Sequence, residues 1–440
     1  MHLRASFWLV VSRDVAASAR ANVCRAPLRA RDEPASSGAA PRLKLARQIV
    51  PRVPPVSILD VSDSEQTARS PARLHTCIAV LVGAMAACSE GAPSAGACTP
   101  GKWCQLSSAR APTERSDFVE VWAGTRLLVW GGSHLGSAVD DGAAWNASSD
   151  SWTPLAGASA PLARSGAGAA WDGAQLLVFG GTNDNQDVLG DGATYDPAAD
   201  RWAPVSAANA PSARSSPVVV WTGTAFLVWG GDGPSGAAFD GAILEQGTWR
   251  PVSATGAPIS SLFGSSAAWT GERLIVWSSP GSFSSGLYDP GANAWSPIAT
   301  AGAPSSRIGS SLVWTGTRAI VWGGFSGLSG GDLSDGALYD PRTDQWSAMS
   351  STGAPSPRSQ HAAVWTGTQM IVYGGQTGDG RSLADGAIYD PVTDTWIPLP
   401  GGAGIVNGAM AAWTGSELVV CGSPEAAVQS TPLPCYRIQP

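Results

Sequence analysis

The sequence predicts an all-β repeat protein, and three observations carry that expectation. A Trp followed by Thr-Gly or a close variant, and then by an apolar run, recurs at Trp122, Trp171, Trp221, Trp269, Trp314, Trp365 and Trp413. The intervals are 49, 50, 48, 45, 51 and 48 residues, so one supersecondary unit is copied in series, each copy too small to bury its own apolar face. Within each copy, runs of about four apolar residues alternate with Asp-Gly, Gly-Gly and Asp-Pro punctuation, the pattern of short antiparallel strands.

The unit from Pro161 to Trp202 illustrates each element in order. Ala167 to Trp171 is a strand of small apolar residues, and Asp172-Gly173 supplies a tight hairpin turn. Leu176 to Phe179 forms a second strand, ended by Gly180-Gly181, because glycine reaches φ values closed to Val or Phe. After a polar loop, Gly192 to Tyr195 is a third strand, stopped at Asp196-Pro197 because Pro cannot donate to a ladder. Trp202 then opens a fourth strand. The same order returns around Tyr339-Asp340-Pro341 with Trp346, and around Tyr389-Asp390-Pro391 with Trp396. Other copies decay: Ser278-Ser279 replaces the glycine pair in the fourth, the third loses its Tyr-Asp-Pro turn, and Cys421-Gly422 stands in the seventh.

An Arg, a small-residue strand, a double glycine, a Tyr before a turn and a spaced Trp, recurring in register from Trp103 to Pro440, resemble the kelch repeat. That resemblance implies a kelch-type β-propeller with one four-stranded blade per repeat around a central channel. Seven blades are expected, or six if the degenerate fourth unit is not a blade. The seventh unit ends near Cys435-Tyr436 without its Trp strand, and the missing piece stands at the other end as Lys102-Trp103-Cys104-Gln105-Leu106. The N-terminal strand is therefore expected to complete the last blade and remove the open edges. Of 20 Trp, 19 lie at or beyond Trp103, and we read them as core packing between sheets rather than as an aromatic ligand platform.

The chain before the repeats is of another kind. Residues 1–87 hold 12 basic and 6 acidic residues, which leaves 15 basic and 28 acidic for residues 88–440, where Lys102 is the only lysine. A net charge of −13 over the repeats disfavours a nucleic-acid partner. We read residues 1–73 as a basic extension of little structure, with a start site assigned too early as one explanation. Residues 74–87 form a short apolar run suited to an export signal, and 88–101 a Gly/Ala/Ser/Pro tether before the propeller at 102–440. Small residues before Cys88 resemble a bacterial lipoprotein box, which implies lipidation at Cys88, a lipid anchor as the only membrane contact, and a periplasmic or cell-surface location. Beyond it, Cys98, Cys104, Cys421 and Cys435 are expected to form disulfides that staple the split blade. Three connectivities are open, with a bond joining the N-terminal to the C-terminal pair preferred.

No nucleophile elbow, phosphate loop or metal-ligand spacing stands out, so no catalytic residue, metal or cofactor is expected. Asp184, Asp187, Asp191, Asp332 and Asp335 could bind calcium, but Asp-Gly at 141, 191, 240, 335 and 385 reads more simply as turn chemistry. Arg115, Arg164, Arg214, Arg307 and Arg358 each lie seven residues before their unit's Trp, while Leu262 and Val406 break the series. The kelch resemblance places this position near the channel mouth, so the five arginines are the expected ligand-binding residues. Glu120 and His361 depart from otherwise apolar or small inner-strand positions. The expected function is a non-catalytic binding module for a protein, peptide or glycan at the channel face. The alternative is a periplasmic carbohydrate-processing enzyme similar to sialic-acid mutarotases, with Glu120 or His361 as base.

Overall fold

The computed structural model describes residues 98–258, 266–277, 285–327, 330–402, 407–423 and 431–440. The export segment, Cys88, Leu262, Val406 and Ser278-Ser279 lie outside the described residues. Within them the chain forms seven four-stranded antiparallel sheets, one per repeat. In blade 2 the strands are Gly168–Trp171, Leu176–Phe179, Gly192–Asp196 and Arg201–Pro204, in that spatial order. The fourth repeat is a full blade, built from Ser266–Trp269, Leu274–Trp277, Gly286–Asp289 and Ala294–Pro297, so the count is seven and not six.

Blade 7 is assembled from both ends of the sequence. Asn407–Trp413, Leu418–Ser423 and Cys435–Ile438 take their fourth strand from Cys104–Gln105, which pairs antiparallel with Arg437 and Tyr436. The first strand of each blade touches the first strands of its two neighbours, and the series returns from Asn407–Trp413 to Val119–Trp122. The seven first strands therefore surround the channel in a closed ring.

Apolar packing follows the same ring. Seven clusters of buried side chains each straddle two neighbouring blades, including one between blades 7 and 1 that contains Leu106, Trp145, Val419 and Cys435. The second strands are covered on both faces, which is why Leu176–Phe179 and its equivalents are uninterrupted apolar runs instead of alternating ones. Third strands open on Gly where a large ring stands opposite, as Gly142 opposite Trp130. A Cβ at Gly142 would meet the Trp130 ring at 3.0 Å.

A second ring of contacts links each blade to the previous one. The outer-strand indoles of Trp152, Trp202, Trp249, Trp295, Trp346 and Trp396 donate Nε1–H to the carbonyls of Ser107, Ala156, Ser206, Ser253, Ala299 and Ser350 at 2.7–2.9 Å. Trp103 supplies the seventh bond, to the Pro400 carbonyl at 3.1 Å. Beside most of these indoles an Asp or Asn at positive φ closes the hairpin, as Asp200 (φ 47) and Asn293 (φ 49) do. Asp200 accepts both Tyr195 O–H at 2.6 Å and Ala156 N–H of the preceding blade at 2.8 Å.

The disulfides differ from the preferred connectivity. Cys98 bonds Cys104 and Cys421 bonds Cys435, so each bridge stays within one terminal segment. The reason is register: Cys421 and Cys435 are direct partners on adjacent strands with Cα atoms 4.1 Å apart, and Cys104 faces Arg437 instead. Closure between the termini rests on backbone pairing, the Trp103 bond and packing.

Candidate functional site

An inner strand begins just after the repeat Arg and ends at the Trp-Thr-Gly turn, and all seven run the same way around the axis. The two features therefore occupy opposite ends of the channel, up to about 23 Å apart along seven extended residues. They need separate descriptions.

At the arginine end, the structure turns each guanidinium into its own blade. Arg164 donates from Nη1 to the Gly180 carbonyl at 3.0 Å and the Asp191 carbonyl at 3.2 Å, and from Nε to the Leu162 carbonyl at 2.8 Å. Its ion pair with the Asp191 carboxylate spans 3.0 Å. Arg115, Arg214, Arg307 and Arg358 repeat the arrangement on Asp141, Asp240, Asp335 and Asp385. All five side chains are 0% exposed, while the carboxylates are about half exposed. The clamp ties the loop before the inner strand to the loop between the second and third strands. The Arg backbone also reaches the blade before it, as the Arg214 carbonyl accepts Gly181 N–H at 2.9 Å. Burial disfavours the charge on Asp240, but the Ser212 N–H and the Arg214 guanidinium outweigh it and hold the carboxyl below its usual range.

At the other end is a cavity of about 890 Å³, within the range of small-ligand sites. Its wall is contributed by all seven inner strands and includes Trp122, Trp171, Trp221, Trp269, Trp314, Trp365 and Trp413. Trp171 and Trp365 are buried, and the other five are half-buried. The expected core packing holds for these residues, each of which lies in or against an apolar cluster between blades. Both the outer-strand and the inner-strand tryptophans pack between blades, and the inner-strand set borders the channel as well.

Glu120 is the one ionisable residue lining this cavity among the described residues, and it is 8% exposed. His361 is not part of the wall. It stands two positions earlier on its own repeat, with Nε2 2.9 Å from Ser311 Oγ and its ring edge-on to Trp322 at 4.9 Å. The structure thus does not bring the two departures from the inner-strand pattern together. The acidic loop residues also find local partners: Asp184 accepts Ala138 N–H and Asp332 accepts Gly378 N–H, each joining loops of neighbouring blades. Among the described residues no three His, Cys, Asp or Glu side chains converge as metal donors.

Seven closed, radiating four-stranded sheets with a double-glycine and Tyr-turn signature define a β-propeller of the kelch type. The family model of the KLHDC2/KLHL20/DRC7 Kelch-repeats domain matches residues 117–286 and 279–427, most of the chain. The chain belongs to the kelch-repeat family. No curated protein matches it.

Proposed function

We propose that this protein is an exported, lipid-anchored and non-catalytic binding module for a protein, peptide or glycan ligand. Kelch propellers are typically protein-binding modules, which supports the class. One observation supports a binding site at the tryptophan end of the channel: a cavity of about 890 Å³ bordered by seven inner-strand tryptophans. Large, stiff, amphipathic rings make contact area at low entropic cost. The arginines serve that site indirectly, by fixing the loops that hold the inner strands. The contact of His361 Nε2 with Ser311 Oγ supports a structural role for that ring.

Two disulfides among the described residues support an extracytoplasmic location. Among those residues no helix is long and apolar enough to cross a membrane. Anchoring through Cys88 predicts that Cys88→Ser abolishes incorporation of labelled palmitate and moves the protein out of the membrane fraction. Unchanged fractionation would remove the anchor.

Peptide and glycan arrays test the site. The propeller is expected to lose its ligands when Trp269 and Trp314 are both changed to Ala, and to keep them when Asp191 is changed to Asn. The opposite pattern would move the site to the arginine end.

A further inference from the structure

We infer that the axial chamber recognises a neutral polyhydroxylated ring, the chemistry of a sugar pyranose, through the backbone edges of the seven first strands. The inference rests on the proposed binding site and names the chemistry of what enters it. Each first strand is the innermost of its blade and has a second strand on one side only. Its register decides which backbone groups face the axis. In blade 2, Asp172 N–H donates to the Gln175 carbonyl at 3.1 Å, so these two form a hydrogen-bonded pair, and Ala170 and Leu177 form the next. Trp171 stands between them, opposite Leu176, in a pair that exchanges no bonds. Its N–H and C=O therefore point away from the second strand, toward the channel. The other six turns carry the same bond at 2.7–3.0 Å, so every inner-strand Trp presents its backbone groups in this way. Leu312 and Ala411, two positions earlier on their strands, repeat the orientation one layer deeper.

The chamber is thus rich in backbone donors and acceptors and poor in side-chain ones. The threonine hydroxyls at its border are drawn into their own turns. Thr270, Thr315, Thr366 and Thr414 Oγ1 accept the backbone N–H of Arg273, Arg318, Gln369 and Glu417 at 2.8–2.9 Å. Both carboxylate oxygens of Glu120 are buried, and among the described residues no other ionisable residue borders the chamber. A charged ligand would shed water there and meet no counter-charge. A peptide strand would pair with one open edge and leave the other six facing its side chains. Hydroxyls radiating from a saturated ring reach several edges at once, and each donates and accepts at one atom, as neighbouring N–H and C=O groups require.

The test uses the full propeller and saturation-transfer NMR. Methyl glucoside, methyl galactoside and N-acetylglucosamine are the neutral probes, methyl glucuronoside is the charged comparison and end-blocked triglycine the strand-like one. At least one neutral sugar is expected to bind, at least about tenfold more tightly than the glucuronoside. Its singly deoxygenated forms are expected to include one that binds at least about tenfold more weakly, because a backbone group is left without its partner. These comparisons between ligands need no variant, so a folding defect would not blunt them. Equal binding of the sugar and the glucuronoside, or tighter binding of the blocked triglycine, would overturn the sugar assignment. So would binding of no neutral sugar. In each of these cases the chamber stands as the binding site if array ligands are lost when Trp269 and Trp314 are changed to Ala. Array ligands kept by that double variant would overturn both readings.

Discussion

At the scale of single residues, the five buried guanidiniums owe their place to backbone carbonyls more than to their carboxylate partners. Each is wholly buried and donates to two or more carbonyls, whereas its Asp is about half exposed and screened by water. Arg164→Ala is therefore expected to cost about 2 to 4 kcal/mol, by leaving carbonyls without donors. Asp191→Asn is expected to cost about 1 kcal/mol or less, both measured by urea denaturation. Equal losses would show that the ion pair dominates. Asp240 adds a pH dependence. Its folded-state pKa lies below the unfolded value, so its contribution is present above about pH 4 and is lost as the pH falls through the folded pKa. Asp240→Asn should flatten the acid side of the stability profile, and an unchanged profile would contradict this. On the alkaline side, burial and hydrogen bonds to Asp200, Asp344 and Asp394 push the phenols of Tyr195, Tyr339 and Tyr389 up.

The clamp was legible in the sequence through a signal that turn chemistry alone passes over. The five repeats with an Arg are the five with Asp-Gly at 141, 191, 240, 335 and 385, while the repeats with Leu262 and Val406 have Ser285-Gly286 and Pro434-Cys435 instead. Paired presence and absence inside one chain marks a contact. The cavity wall was less legible, because inner-strand and outer-strand tryptophans share composition and repeat spacing, and only the closed ring decides which set faces the axis.

At the scale of elements, the closing blade shows how one repeat compensates for the missing clamp. Cys421 and Cys435 occupy the register positions held by Trp130 and Gly142 in blade 1 and by Phe179 and Gly192 in blade 2. A covalent tie thus joins the second and third strands where blades 1 and 2 use Arg and Asp. Replacing both cysteines with Ala is expected to cost about 2 to 4 kcal/mol. Repeat phase announced the closure by Trp103, since Lys102-Trp103-Cys104-Gln105-Leu106 matches the outer strand Arg201-Trp202-Ala203-Pro204-Val205. Disulfide partners were not legible, because they depend on which residues face each other across a ladder. Trp103→Phe, which keeps the ring but removes the donor to the Pro400 carbonyl, should cost about 1 kcal/mol in thermal or urea unfolding. No loss would mean that this bond does not help to seal the ring.

At the scale of the whole molecule, the seven sheets bury their apolar faces against one another and leave one shared space on the axis. A single blade could not build that chamber, since each contributes one inner-strand Trp and a short stretch of wall. Repetition therefore makes the site as well as the fold. The opposite end is stiffened by clamps and loop-to-loop bonds, including Ser165 N–H to Thr182 O at 3.0 Å and Gly324 N–H to Arg358 O at 2.8 Å. A crystal structure of the propeller bound to a ligand drawn from the peptide and glycan arrays tests the division of labour between the two ends most directly. Density for the ligand within the ring of Trp122 to Trp413 is the expected result. Density confined to the loops around Arg164 and Arg214, with the tryptophan chamber vacant, would contradict it.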